Sequence, residues 1–363
     1  MDDGRGRVFP CGQCGADVEF DVATQSLKCP FCAHVTKIGH EPGKKVSEQD
    51  FYARVAWLKD VRSGMRGTQI EGVSEVRCDG CGANVAFQGA LTSTDCAFCG
   101  APIQRDKVHD AEDRVPVDGV LPFQLPQARA KELLAEWVRT RWFAPNEFKR
   151  RGADGRFAGV YVPYWTFDSQ TLNDYVGERG EHYYVTVGSG KNQRRERRTR
   201  WYPAAGRFRL FFDDVLVVAA KGLPVDLLHK LEPWPLAKCR PFDPQLLAGF
   251  LAQTYEVGLE PGFRDAKERM DAEIRVATAH EIGGDTQRIH SIQSVFDPIT
   301  YKHLLLPVWL LSYKWHDTTY RVVVNATTGE VQGTRPWSAW KITFFVLGIL
   351  AVVGTIVAVA NAS

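Results

Sequence analysis

The sequence predicts an α+β protein in three parts: a cysteine-rich N-terminal region, an antiparallel-sheet body and a single C-terminal membrane-crossing helix. Three observations predict it. Eight of the nine cysteines form four C-x-x-C pairs, all before residue 100. From about 121 to 336, β-type runs bounded by turn residues alternate with amphipathic helical stretches. Residues 342–360 read ITFFVLGILAVVGTIVAVA, 19 residues without a charge.

The composition is 44% hydrophobic and 24% charged over 363 residues, which fits two or three folded units and excludes a disordered chain. The net charge of +2 confines recognition of an anionic partner to local patches. The N-terminus, Met-Asp-Asp-Gly-Arg-Gly-Arg, has no apolar stretch of the kind a cleavable signal carries. The cysteines are therefore expected as reduced thiols or metal thiolates in a cytosol-like compartment.

The N-terminal region is an internal repeat. CGQCGADVEF at 11–20 recurs as CDGCGANVAF at 78–87, a period of 67 residues, and each copy ends in a second knuckle, Cys29–Cys32 and Cys96–Cys99. Two thiolates two residues apart can share one tight turn, and two such turns on neighbouring hairpins complete a tetrahedron. Cys11, Cys14, Cys29 and Cys32 thus form one candidate metal set, and Cys78, Cys81, Cys96 and Cys99 the other. Gly15, Gly82 and Gly100 follow three of the four knuckles, where the turn calls for an unhindered backbone. Redox C-x-x-C motifs and an iron–sulfur site are the competing chemistries; the duplicated ribbon spacing favours two Zn2+ ions. Four sulfur ligands leave no open coordination position, so both zincs are expected to be structural. Cys239 belongs to neither set and reads as an ordinary buried thiol. The first ribbon sets Asp17, Glu19 and Asp21 against Lys28, which favours a protein partner over nucleic acid.

The expected boundaries are ribbon 1 at 8–40, a helical linker at 41–76, ribbon 2 at 77–105, a linker at 106–120, the α+β domain at 121–336 and the transmembrane helix at 341–360. In the first linker, SEQDFYARVAWLKDV reads as a helix capped by Ser47, with Phe51, Val55 and Leu58 on one face. In the domain, helices are expected near 127–142, 244–255 and 263–279, between runs such as GVYVPYWTF, HYYVTV, RFRLFF, VLVVAA, IHSIQSVF and HLLLPVWLLSYKW. The phrase VPYW at 162–165 partly echoes LPVW at 306–309, the trace of a second, weaker duplication.

Lys191, Arg194, Arg195, Arg197, Arg198 and Arg200 crowd into the segment KNQRRERRTR. It reads as a solvated hairpin loop, as a contact for anionic lipid headgroups, or as a contact for nucleic acid. No enzyme signature is complete: GSGK at 188–191 lacks the rest of a phosphate loop, and His280–Glu281 lacks the second histidine of a zincin. The chain is expected to be no enzyme.

The terminal apolar run spans roughly 28 Å as a helix, close to the ~30 Å hydrocarbon core. Arg335 and Lys341 precede it, so the positive-inside rule keeps the N-terminal bulk cytoplasmic, and Trp337 and Trp340 fall where an interfacial aromatic belt belongs.

With the ribbons, the YVPYWTF and PVWL strands, the TGEV hairpin and the anchor in place, the chain resembles bacterial membrane proteins with transcription-factor-IIB-type zinc ribbons, often labelled "primosomal protein N′-like". The resemblance covers nearly the whole chain. It implies a single-pass, tail-anchored adaptor that recruits proteins to the cytoplasmic membrane in envelope maintenance or stress. Implied partners are SPFH/band-7-type or phage-shock-protein-A-like proteins. The helicase label finds no support, since no Walker A motif is present. A membrane-tethered nucleic-acid-binding protein using the ribbons and segment 191–200 is the alternative.

Overall fold

The computed structural model describes residues 9–39, 43–63, 74–78, 83–87, 109–110, 114–146, 156–190, 193–221, 223–315 and 318–362. It is α+β with antiparallel sheets. A small sheet holds β1 (Glu19–Asp21), β2 (Ser26–Lys28) and β3 (Val35–Thr36). Next come β4 (Gln49–Asp50), α1 (Phe51–Arg62), β5 (Ser74–Arg77), β6 (Asn84–Phe87), β7 (His109–Asp110), β8 (Gly119–Val120) and α2 (Gln127–Arg139). Two long strands follow, β9 (Arg156–Val187) and β10 (Arg194–Val218), then α3 (Val225–His229), β11 (Arg240–Pro241) and β12 (Leu251–Gln253). The chain ends with α4 (Leu259–Ile282), β13 (Thr286–Trp315), β14 (Thr318–Asn325), β15 (Val331–Gly333) and α5 (Ala339–Ala362).

The stretches expected as linkers take part in the body. β4 pairs with β13, β8 runs parallel to β13, and Phe51, Val55, Leu58 and Val115 share a core with α4. Helix α1 is where the apolar spacing placed it, but its cap is Asp50, whose carboxylate accepts from the Ala53 N–H at 2.7 Å, not Ser47.

The echo between VPYW and LPVW is a structural pseudo-dyad. The two phrases lie side by side on β9 and β13, with Val162 opposite Leu306 and Pro163 opposite Leu305. Each proline carbonyl accepts from an alanine N–H, Pro163 from Ala219 and Pro307 from Ala326. Each tryptophan indole donates to a carbonyl just ahead of a helix: Trp165 to Val257 before α4, Trp309 to Leu125 before α2, at 2.8 and 2.9 Å. Short strand, helix, long strand, strand is the order in both halves (β8, α2, β9, β10; β12, α4, β13, β14), and each short strand runs parallel to the other half's long strand.

Strand lengths depart most from expectation. GVYVPYWTF and HYYVTV are the two ends of one 32-residue strand, while β10 and β13 run for 25 and 30 residues. Among the described residues, β9 beyond Ser169 has only β10 and β13 as neighbours, and beyond Gly180 only β10. The result is a projecting arm, three-stranded at its base and two-stranded at its end, with α4 packed along the base. β10 and β13 each bulge at the root of this arm, between Phe212 and Val215 and between Phe296 and Ile299. The helix expected near 244–255 is instead a short 3-10 turn at Pro244–Leu247 followed by β12, because Leu246 and Ala252 pack on Tyr161 from separate segments.

Candidate metal centre

The first knuckle is a turn closed by Gly15 N–H to Cys11 O (2.8 Å) and Cys11 N–H to Ala16 O (2.7 Å). The second repeats it, with Ala33 N–H to Cys29 O (3.0 Å) and Cys29 N–H to His34 O (2.9 Å). Both turns need a left-handed residue after the second cysteine. Gly15 supplies φ +70° at no cost, whereas Ala33 is held at φ +59°. Ala33→Gly is therefore expected to stabilise the ribbon by about 1 kcal/mol, seen as a raised denaturation midpoint with metal content unchanged.

The strands β1 and β2 bring the knuckles together. Cys11 and Cys32 sulfurs stand 3.5 Å apart, as do those of Cys14 and Cys29, and all four lie within 4.8 Å of one another. Tetrahedral zinc at ~2.3 Å from each sulfur spaces the sulfurs by about 3.8 Å, so the cluster is of the right size to hold a metal ion. Cys11 and Cys29 are buried, Cys14 and Cys32 exposed.

The electrostatics suit a cation. Backbone N–H groups of Cys14 and Gln13 aim at the Cys11 sulfur and lower its pKa to about 6; those of Cys32 and Phe31 lower Cys29. The His34 N–H acts the same way on Cys32, but burial and the three neighbouring sulfurs outweigh it and push that thiol up to about 12. Four thiolates cannot all be charged in so small a volume without a positive ion among them.

The ribbon is docked on the body. Phe20 N–H donates to Ala248 O at 3.0 Å, Gln25 Nε2 to Phe123 O at 2.8 Å, and Cys11, Val18, Phe20, Leu27 and Cys29 share a core with Phe123, Tyr161 and Trp309. In contrast Phe31, at the tip of the second knuckle, is 80% exposed.

Of the second set, Cys78 is buried at the end of β5, and its N–H donates to Ala83 O at 2.9 Å, matching Cys11 to Ala16. Cys81, Cys96 and Cys99 lie outside the described residues. Cys239 packs against a core that includes Leu121, Tyr164 and Trp234, where burial pushes its thiol up to about 12.

Segment 191–200 is mostly strand. Lys191 lies outside the described residues, while Arg194, Arg195, Arg197, Arg198 and Arg200 belong to β10. Register places Arg195 and Arg197 on one face, opposite Thr186 and Tyr184, and Arg194, Arg198 and Arg200 on the other, opposite Val187, Tyr183 and Glu181. Arg195 lies over the Tyr184 ring at 4.9 Å and Arg200 over Tyr183 at 5.2 Å.

A buried charge cluster at the arm's root has no counterpart in the sequence analysis. Lys302 Nζ lies 2.8 Å from Asp214, 3.2 Å from Asp168 and 3.4 Å from Glu48. The Asp214 N–H donates to Asp168, which the bulge and a left-handed Asp214 (φ +51°) make possible. Burial raises Asp168 above the usual carboxylate range. Asp213 joins the two aspartates in a group of metal-ligating type, but Lys302 already supplies its positive charge.

The last 24-residue helix, α5, is about 36 Å long and is the one helix among the described residues long and apolar enough to cross a membrane; no part of that span is buried.

Fold and site together define an α+β protein with an N-terminal cysteine cluster fit for a metal ion and one apolar C-terminal helix. No family model matches the chain, and no solved structure matches it. It is 26% identical over 351 residues to the uncharacterized protein YdjG of Bacillus subtilis (strain 168), a match covering 94% of this chain and 93% of that protein.

Proposed function

We propose that this chain is a non-enzymatic adaptor, tethered by α5 to the bacterial cytoplasmic membrane with its bulk in the cytoplasm. Zinc held by Cys11, Cys14, Cys29 and Cys32 shapes a knuckle that presents a protein-docking surface, and a second zinc at Cys78, Cys81, Cys96 and Cys99 does the same in the repeat. The observation that carries this is Phe31, a large apolar ring left 80% exposed on a rigid turn whose core side is fastened to the body. Exposed aromatics on fixed supports are the usual anchors of protein interfaces. Four sulfur ligands leave the metal no open position for chemistry. The resemblance to ribbon-bearing membrane proteins supports a role in envelope maintenance or stress, with SPFH/band-7-type or phage-shock-protein-A-like proteins as the proposed partners.

The test is Phe31→Ser in the full chain. Crosslinking in native membranes should recover a partner with the native chain, and the variant should weaken that capture roughly thirtyfold, the effect of losing about 2 kcal/mol at an anchor residue. Its metal content should be unchanged. Capture identical with and without Phe31 would end the proposal.

Nucleic acid is the second reading, favoured by one observation: the arginines occupy both faces of a two-stranded ribbon, a shape that a duplex major groove admits. Changing Arg194, Arg195, Arg197 and Arg198 together to Ser distinguishes the two. If the ribbon grips phosphates, duplex affinity should fall with salt by roughly 0.9 log units per contact, and the variant's slope should be shallower by a few units. An adaptor with no nucleic-acid role should show no salt-sensitive duplex binding in either form.

A further inference from the structure

The segment after α2 and the start of α5 form one fixed unit. Lys341 Nζ donates to Trp142 O (3.3 Å), Ala144 O (2.8 Å) and Asn146 Oδ1 (2.7 Å). The Ser338 N–H donates to Phe143 O at 2.8 Å, and the Phe143 ring meets Phe345 edge-on at 5.3 Å. Around this joint Trp142, Trp337 and Trp340 are 70%, 61% and 75% exposed. Three exposed indoles at the mouth of an apolar helix match the level at which tryptophan settles in a bilayer.

Two arginines stand in the same place. Arg141 lies over Trp137 at 4.5 Å and Arg335 over Trp337 at 4.4 Å. The Arg141 Nε is closed off from solvent and, among the described residues, has no hydrogen-bond partner. Phe143, two residues after Arg141, packs against Trp337, the ring under Arg335, with centroids 6.4 Å apart, which brings the two cations to one joint. Among the described residues neither is joined to a carboxylate. A group that accepts several N–H bonds and carries negative charge would satisfy the buried donor and relieve the repulsion together; phosphate does both, and arginine forks match its geometry.

We propose that Arg141 and Arg335, each laid on a tryptophan beside the anchor, form a binding site for the phosphate of an anionic phospholipid headgroup. The proposal rests on α5 crossing a membrane. Lipid phosphate is chosen over free phosphate because the site is continuous with the helix that enters the bilayer and is rimmed by exposed indoles. The body is then seated on the membrane by the stretch 141–144 that follows α2.

Full-length chain is reconstituted in vesicles of phosphatidylglycerol and phosphatidylcholine in equal parts, with a benzophenone side chain placed at position 142, 344 or 183 in turn. On illumination, position 344, within α5, should capture lipid; position 183, on the arm, should not. Position 142 should capture phosphatidylglycerol over phosphatidylcholine at about five to one, near 1 kcal/mol for a basic residue at an anionic surface. Excess inorganic phosphate should leave that enrichment unchanged, and Arg141→Gln with Arg335→Gln should remove it while capture at 344 persists. Lipid at 344 with none at 142, capture at 142 without headgroup preference, or loss of preference to free phosphate would each overturn the site. Failure at 344 itself would overturn the membrane reading instead. Enrichment is read in a chain with both arginines intact, so the outcome does not depend on the double variant folding.

Discussion

Replacing Cys29 by serine is expected to lower the bound metal by one ion per chain and to unfold the first ribbon. Serine keeps the size of the side chain but offers no thiolate, and three sulfurs leave a position that water fills. A domain of this size has little core of its own, so its folding energy comes mainly from the metal. The damage should spread further than in an isolated ribbon. Phe20 and Leu27 pack with Phe123 and Tyr161, and Phe20 is bonded to Ala248, so the region around Ala248 should also lose protection. Metal analysis by mass spectrometry with amide hydrogen exchange checks both effects. Exchange confined to residues 9–39 would show that docking contributes nothing, and an unchanged metal count would remove Cys29 from the ligand set.

Replacing Lys302 by alanine should cost about 3 kcal/mol, the lower end of what breaking a buried ion pair costs. The lower end applies because Asp214 and Glu48 keep 31% and 50% of their side chains in solvent, whereas Asp168 keeps only 6%. The deficit has a definite pH dependence. Burial already raises the Asp168 pKa, and without the Lys302 charge the Asp214 N–H is the main group left to oppose that rise. A carboxyl whose folded pKa lies above its unfolded value favours folding when protonated, so the gap between variant and native chain should narrow as pH falls from neutrality through the carboxylate range. Denaturant unfolding at several pH values measures it; a gap independent of pH would mean that Asp168 is not the charge left stranded.

Local signals in the sequence were legible. Cysteine spacing led to a cluster that the fold assembles, apolar spacing led to α1, α2 and α4, and an uncharged run led to α5. What stayed hidden depends on partners far away in the chain. The run DSQTLNDYVGERG reads as a connection because its polar side chains and glycines suit one, yet pairing on both edges makes it continuous strand. Lys302 and Asp168 are 134 residues apart and meet only through the β9–β13 register. Arg141 and Arg335 are likewise unrelated until β13 and β14 bring the anchor beside α2. The stretches taken as linkers carry Val115 and Val120, single apolar residues whose burial needs the sheet to be known first.

One consequence of β9 is mechanical. Its first residues pack with α2 near the anchor, and its last lie at the arm's end, 31 residue steps or about 100 Å away along the strand. A lever of that length multiplies angle into travel: a tilt of about 10° at the anchored end carries the arginine-rich end through roughly 17 Å. The bulges and the Lys302 cluster form a second joint partway along, about 60 Å of strand from the tip, so their stiffness sets how much the arm adds to that sweep.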